Sequence, residues 1–113
     1  MTVYCFDIDG TICTNTEGVY ESAQPLLGTV NLVNSLYEQG HYIILQTARG
    51  SSTKIDWKPL TESQLKKWGL NYHELHFAKP TADVYIDDKA INAFQWHALQ
   101  LDPIKILESH KNV

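Results

Sequence analysis

Short apolar runs alternate with polar stretches along this chain, and each run has the length of one secondary-structure element. Val3-Tyr4-Cys5-Phe6 is β-branched and aromatic, too short for a helix, and predicts a buried strand that stops at Asp7. Residues 11–24 carry Thr, Asn, Glu, Gly and Ser without a clear period and read as a loop with room for a short hairpin. Pro25 suits the first turn of a helix, and Leu26, Val30, Val33 and Tyr37 recur at helical spacing until Gly40 closes it. His41-Tyr42-Ile43-Ile44-Leu45-Gln46-Thr47 is a second strand, with the continuous apolar centre expected where helices cover both faces of a sheet.

Residues 48–60 form a long loop, and loops above about 12 residues in a compact domain are often functional. Thr61 with Gln64 resembles a capping box that opens a short helix through Trp68, ended by Gly69. Glu74-Leu75-His76-Phe77 is a weak third strand, and Val84-Tyr85-Ile86 a stronger fourth that runs into Asp87-Asp88. A helix over Ala90 to Leu99 follows, with an edge strand at Ile104 to Leu107. Strands alternating with helices predict a three-layer, Rossmann-like α/β domain around a mostly parallel sheet. Ligands collect at the carboxyl ends of such strands.

At 113 residues the chain is expected to be a single domain over 1–113. A net charge of −4 with no run of like charges argues against nucleic acid or an anionic membrane surface as partner. No apolar segment approaches the roughly 18 residues of a membrane span. Cys5 and Cys13 have no secretory signal before them and no metal-ligand spacing, which predicts a cytoplasmic protein with reduced thiols and a buried, structural Cys5.

Three polar features fall at predicted strand ends: Asp7 with Asp9, Thr47, and Asp87 with Asp88. Residues two apart in extended backbone point to the same side, so Asp7 and Asp9 face one point while Ile8 turns to the core. Gly10 then permits a sharp change of direction. Single aspartates after strands are common turn residues. If strands one and four are neighbours, however, four carboxylates crowd one site, which is unfavourable without a cation. Mg²⁺ fits, since it takes oxygen ligands and keeps waters for a substrate phosphate.

Asp7-Ile8-Asp9-Gly10-Thr11 resembles the first motif of the haloacid dehalogenase superfamily of phosphohydrolases, Asp-x-Asp-Gly-Thr. Thr47 at the end of an apolar strand, Lys79-Pro80 and Ile86-Asp87-Asp88 resemble the second, third and fourth motifs in the family's order. The resemblance spans positions 3 to 88. It implies Asp7 as the nucleophile forming an aspartyl-phosphate and Asp9 as acid and then base. It implies Thr47 as hydrogen-bond donor to a phosphate oxygen and Lys79 as neutraliser of charge on Asp7 and the phosphoryl group. Mg²⁺ would be held by Asp7, the Asp9 backbone carbonyl and the pair Asp87 and Asp88, with Asp87 the direct ligand. Thr11 and Ala48 are the motif neighbours expected to touch substrate.

Many relatives carry a cap domain that closes over the site. Neither the gap from Asp9 to the second strand nor that from Thr47 to Lys79 holds one, so the chain resembles a capless member. Capless relatives tend to act on large substrates or to use a neighbouring subunit as lid. The loop after Thr47 is then the expected substrate-contacting segment, with Arg49 clamping a carboxylate or second phosphate and Trp57 stacking on a sugar or base. The loop from Ala48 to Leu60, with the segment from Gln64 to Asn92, also resembles small phosphatase-like proteins of bacterial capsule and surface-polysaccharide gene clusters, which points to a small sugar or polyol phosphate as substrate.

Three rivals remain at this level. Receiver domains combine an acidic pair, a phosphorylated aspartate, a Thr and a Lys, but their acidic pair follows strand one and their lysine comes last. A non-catalytic phosphate-binding or assembly protein would keep the fold without turnover. A phosphomutase would pass the phosphoryl group to another hydroxyl, which in this family usually needs a cap. His73 and His76, three apart, would point to opposite sides of a strand and suggest no zinc site.

Overall fold

Strands β1 (Val3–Asp7), β2 (Tyr42–Gln46) and β3 (Glu74–His76) pair in parallel in the order β1-β2-β3, in a computed structural model that describes residues 1–98. Each crossover carries a helix: α1 (Leu27–Glu38) leads from β1 to β2, and α2 (Lys58–Lys67) from β2 to β3. This is a Rossmann-like α/β arrangement with no cap domain among the described residues. The chain divides into two compact units, Met1–Thr81 and Ala82–Val113, and the sheet belongs to the first.

The pairing register sets Phe6 beside Leu45 and Tyr4 beside Ile43 on one face of the sheet. Ile43 and Leu45 are fully buried there, as are Val33 of α1, Leu65 of α2, and Ile8 and Ile12 beyond β1. Each such side chain contributes roughly 1.5–3 kcal/mol of transfer free energy. The other face carries Val3, Cys5 and Ile44, of which Ile44 is half-buried and the first two are exposed. The apolar centre of β2 thus has one fully buried face rather than two. Cys5, expected to be buried, is exposed on a strand that, among the described residues, pairs on one side alone, with β2; the buried thiol is Cys13.

Helix α1 begins two residues past Pro25. Pro25 instead forms an antiparallel bridge with Cys13. The N–H of Thr14 donates to Gln24 O at 2.9 Å and that of Leu26 to Ile12 O at 2.8 Å, so the loop over 11–24 closes on a hairpin-like neck and holds one 3₁₀ turn, Tyr20–Ser22. Both helices end as their glycines predict. The N–H of His41 reaches Leu36 O and that of Leu70 reaches Leu65 O, each at 3.1 Å, in Schellman closures one residue past Gly40 and Gly69.

Helix α2 starts at Lys58, with Pro59 in its first turn, so Thr61 and Gln64 lie inside it and cap nothing. Proline at a first helical turn overrides the capping-box signal, since its missing N–H and fixed φ suit that place. In the second unit α3 spans Ala93–Ala98, beginning three residues later than the helix expected over Ala90 to Leu99, whose last residue lies outside the described residues. Val84-Tyr85-Ile86, expected as a strand, is irregular, and Ile86 is 95% exposed. Strand propensity is a fit to a pleated, half-buried surface, and this run makes no ladder bonds among the described residues. The edge strand expected at Ile104 to Leu107 lies outside the described residues. Among the described residues no helix is long and apolar enough to cross a membrane.

Candidate active site

Beyond β1 the chain reverses around a single acceptor. The Ile8 carbonyl takes the N–H groups of Thr11 at 3.1 Å, Ile12 at 2.9 Å and Cys13 at 3.3 Å, and Gly10 N–H donates to Cys13 O at 2.9 Å. Gly10 holds φ +83°, and a Cβ there would meet only the Asn15 Cβ at 3.9 Å, so its backbone angle rather than space requires glycine. The turn buries Ile8 completely and leaves Asp7 and Asp9 half-buried at the carboxyl end of β1. Thr11 is buried, its N–H spent on the turn.

Asp7 and Asp9 take different partners. Lys79 Nζ lies 3.3 Å from Asp7 Oδ1. Burial pushes the Asp7 carboxyl above the usual carboxylate range; the Lys79 charge and hydrogen bond and the Ile8 N–H pull it down, and Asp9 adds to the rise. Asp9 is held by Arg49, whose Nε donates to Oδ2 at 3.0 Å and Nη2 to Oδ1 at 2.9 Å. Nη1 of the same guanidinium donates to Thr61 Oγ1 at 3.0 Å and to Gln64 Oε1 at 2.7 Å, and Nη2 also reaches Cys13 Sγ at 3.9 Å. All five N–H donors of Arg49 are therefore engaged. The Tyr20 ring packs over the guanidinium at 4.6 Å, and Gln64 Nε2 donates to Tyr20 O at 2.7 Å.

This corrects the expectation that Arg49 clamps substrate: its side chain is fully buried and committed to Asp9. Sequence reasoning missed the brace around it. Thr61 and Gln64 were legible as two polar residues three apart beside the buried Leu65, a pattern shared by a cap and a buried polar anchor. Cys13 sits against the same pair, its Sγ 3.6 Å from Asp9 Oδ1, and its thiol is pushed up to about 12 by burial first and then by Asp9.

Thr47 follows β2 and is buried. Its N–H donates to His76 O at 2.9 Å, and its Oγ1 accepts the Arg49 N–H at 3.1 Å, which leaves the hydroxyl hydrogen for another acceptor. Ala48 O accepts the Ser51 N–H at 3.0 Å in a turn whose third residue is Gly50. Trp57, half-buried, meets Tyr20 edge to face at 4.8 Å. His73 stacks between Tyr37 and Tyr42, and His76 pairs with Glu74 at 2.8 Å.

Asp87 and Asp88 belong to the second unit, where both are exposed and Asp87 Oδ1 accepts the Lys89 N–H at 2.7 Å. Among the described residues no three His, Cys, Asp or Glu side chains gather as a metal site, and within the first unit the acidic pair is Asp7 with Asp9. That pair nevertheless suits a hard cation. Asp7 is desolvated beyond what Lys79 offsets, and the Asp9 carbonyl accepts no backbone hydrogen bond among the described residues.

No family model matches the chain, and no curated protein does. Among solved structures it is similar to the crystal structure of an MCSG target from Vibrio cholerae, at 21% identity and a TM-score of 0.81 over 97% of this chain and 96% of that one. It is also similar to part of a chain in the Pnkp1/Rnl/Hen1 complex, at 21% identity and a TM-score of 0.54, covering 91% of this chain but 34% of that one. These likenesses establish a shared α/β fold.

Proposed function

We propose that the chain is a magnesium-dependent phosphohydrolase of the haloacid dehalogenase type, acting on a small sugar or polyol phosphate through an aspartyl-phosphate. The observation that carries this reading is the pairing of two neighbouring carboxylates with different partners, Asp7 with Lys79 and Asp9 with Arg49. Two carboxylates held in different surroundings can take two roles. The free thiols Cys5 and Cys13 fit a reducing cytoplasmic setting.

An Asp7 oxygen attacks phosphorus and the P–O bond to the leaving alcohol breaks, with Asp9 giving that oxygen a proton. Asp9 then takes a proton from the water that attacks the aspartyl-phosphate, releasing inorganic phosphate and restoring Asp7. Lys79 offsets the repulsion between the Asp7 carboxylate and the phosphate dianion, and the Thr47 hydroxyl donates to a phosphoryl oxygen. Mg²⁺, held by Asp7 and the Asp9 carbonyl, would supply further charge neutralisation.

One observation favours a second reading, a phosphoacceptor that keeps its phosphoryl group. Both Asp9 oxygens already accept from Arg49, and one must be released before Asp9 can move a proton. Phosphate release from sugar, polyol and nucleotide phosphates, with Mg²⁺ and with chelator, tests the main reading alongside Asp7→Asn. Metal-dependent release lost in the variant is the expected result. Release that survives Asp7→Asn overturns the mechanism, and stoichiometric labelling of Asp7 without turnover selects the phosphoacceptor.

A further inference from the structure

The loop between β2 and α2 shapes a shallow cavity of about 350 Å³ beside Arg49, lined by Gly50, Lys54, Ile55, Trp57, Lys58 and Phe77. Its volume lies in the range of small-molecule sites, roughly 300–1,000 Å³. Because the Arg49 donors are all engaged inside the protein, this wall offers no guanidinium to a ligand. The available cationic groups are Lys54 and Lys58, both exposed and, among the described residues, in no ion pair. Against them stands one carboxylate, Asp56, whose Oδ1 already accepts the Lys58 N–H at 3.0 Å. Ile55, Trp57 and Phe77 supply an apolar surface, with Ile55 left 55% exposed.

The cavity is built before any ligand arrives. A Cβ on Gly50 would lie 2.4 Å from Ile55 O and 3.2 Å from Trp57 Cδ1, so the loop folds back onto Gly50 with no room between. Lys54 holds φ +62°, an uncommon angle for a side-chain-bearing residue, while its N–H donates to Gly50 O at 2.9 Å. A pre-formed wall of this kind spares a ligand the cost of ordering the loop.

We propose that this cavity receives the organic part of the substrate, and that the substrate is a sugar phosphate carrying a second anionic group, with the ring against Trp57 and the second anion met by Lys54 and Lys58. This rests on the phosphohydrolase reading and narrows it: the scissile phosphate goes to Asp7, and charge on the far side of the sugar decides selection. A neutral sugar phosphate would leave the two ammonium groups with Asp56 as their single counter-charge in the cavity.

The test compares 6-phosphogluconate with glucose 6-phosphate as substrates of wild type and of Lys54→Met/Lys58→Met. Wild type is expected to prefer the sugar acid, and the double variant to lose that preference by roughly three- to tenfold, chiefly through KM, as expected for two exposed ion pairs. Equal preference in wild type, or a preference that survives the double variant, overturns the proposal. A binding arm separates this from failure of the phosphohydrolase reading. 6-Phosphogluconate titrated calorimetrically into Asp7→Asn should bind, and more weakly when both lysines are also replaced. Absence of binding, or binding indifferent to the lysines, overturns the cavity assignment whether or not the wild type turns over.

Discussion

Arg49 grips Asp9 through both carboxylate oxygens, at 3.0 and 2.9 Å, while its remaining nitrogen is anchored on Thr61 and Gln64 of α2. The planar fork of the guanidinium fixes the Asp9 carboxylate in orientation as well as in position.

Replacing Arg49 with Lys keeps the charge but not the fork. One ammonium cannot serve both Asp9 oxygens, Thr61 and Gln64 together, and buried acceptors would be left unpaired. Arg49→Lys is therefore expected to lower stability by about 2–4 kcal/mol, read from the urea midpoint at unchanged m-value. A cost below about 0.5 kcal/mol, the scale of ordinary surface changes, would mean that the contacts carry little weight.

Two glycine substitutions separate crowding from backbone angle. Gly69→Ala meets nothing within 4 Å and carries only the strain of φ +71°, about 1 kcal/mol. Gly50→Ala adds a collision with Ile55 O and should cost at least about 1 kcal/mol more, with a shift in Trp57 fluorescence as the loop moves. Equal melting temperatures for the two variants would contradict the tight loop.

Asp7 gives a stability signature that depends on pH. Its folded carboxyl is raised, mainly by burial, so its favourable contribution is complete below the ordinary aspartate value, near about 3.9, and is lost as pH rises through the raised one. At neutral pH the ionised group weakens the fold. With chelator present, Asp7→Asn should melt higher than wild type at pH 7, and the gap should close near pH 3. A variant that melts lower at pH 7 would show that the Lys79 contact outweighs desolvation.

The two thiols should react very differently. Cys5 is exposed, whereas Cys13 is buried and its thiol is pushed up to about 12. At pH 8 an aromatic disulfide reagent should release one equivalent quickly from the native protein and a second only after unfolding. Two fast equivalents would mean that the neck at Cys13 opens readily.

The sequence was most readable where one element's pattern was self-contained. β1, α1 and β2 followed from runs and periods, because alternation and helical spacing are set by each element's own burial. The start of α2 was misread because Thr61-x-x-Gln64 has the form of a cap, while the earlier Pro59 carried the true signal. Val84-Tyr85-Ile86 looked like a strand by composition, yet a strand exists only with a partner. At the site, Asp7 and Asp9 were visible from spacing alone. The role of Arg49 was hidden, since its partners Asp9, Thr61 and Gln64 lie 40, 12 and 15 positions away and no local pattern joins them.

The distance in sequence between Asp9 and Arg49 also sets an order of events during synthesis. The acidic motif leaves the ribosome first, and the residue that orients its second carboxylate follows 40 positions later, with the Thr61 and Gln64 anchors later still. A nascent chain therefore carries its carboxylates before it can aim them. Aim arrives only when α2 packs, so a half-made chain would hold both carboxylates with the second still free to turn.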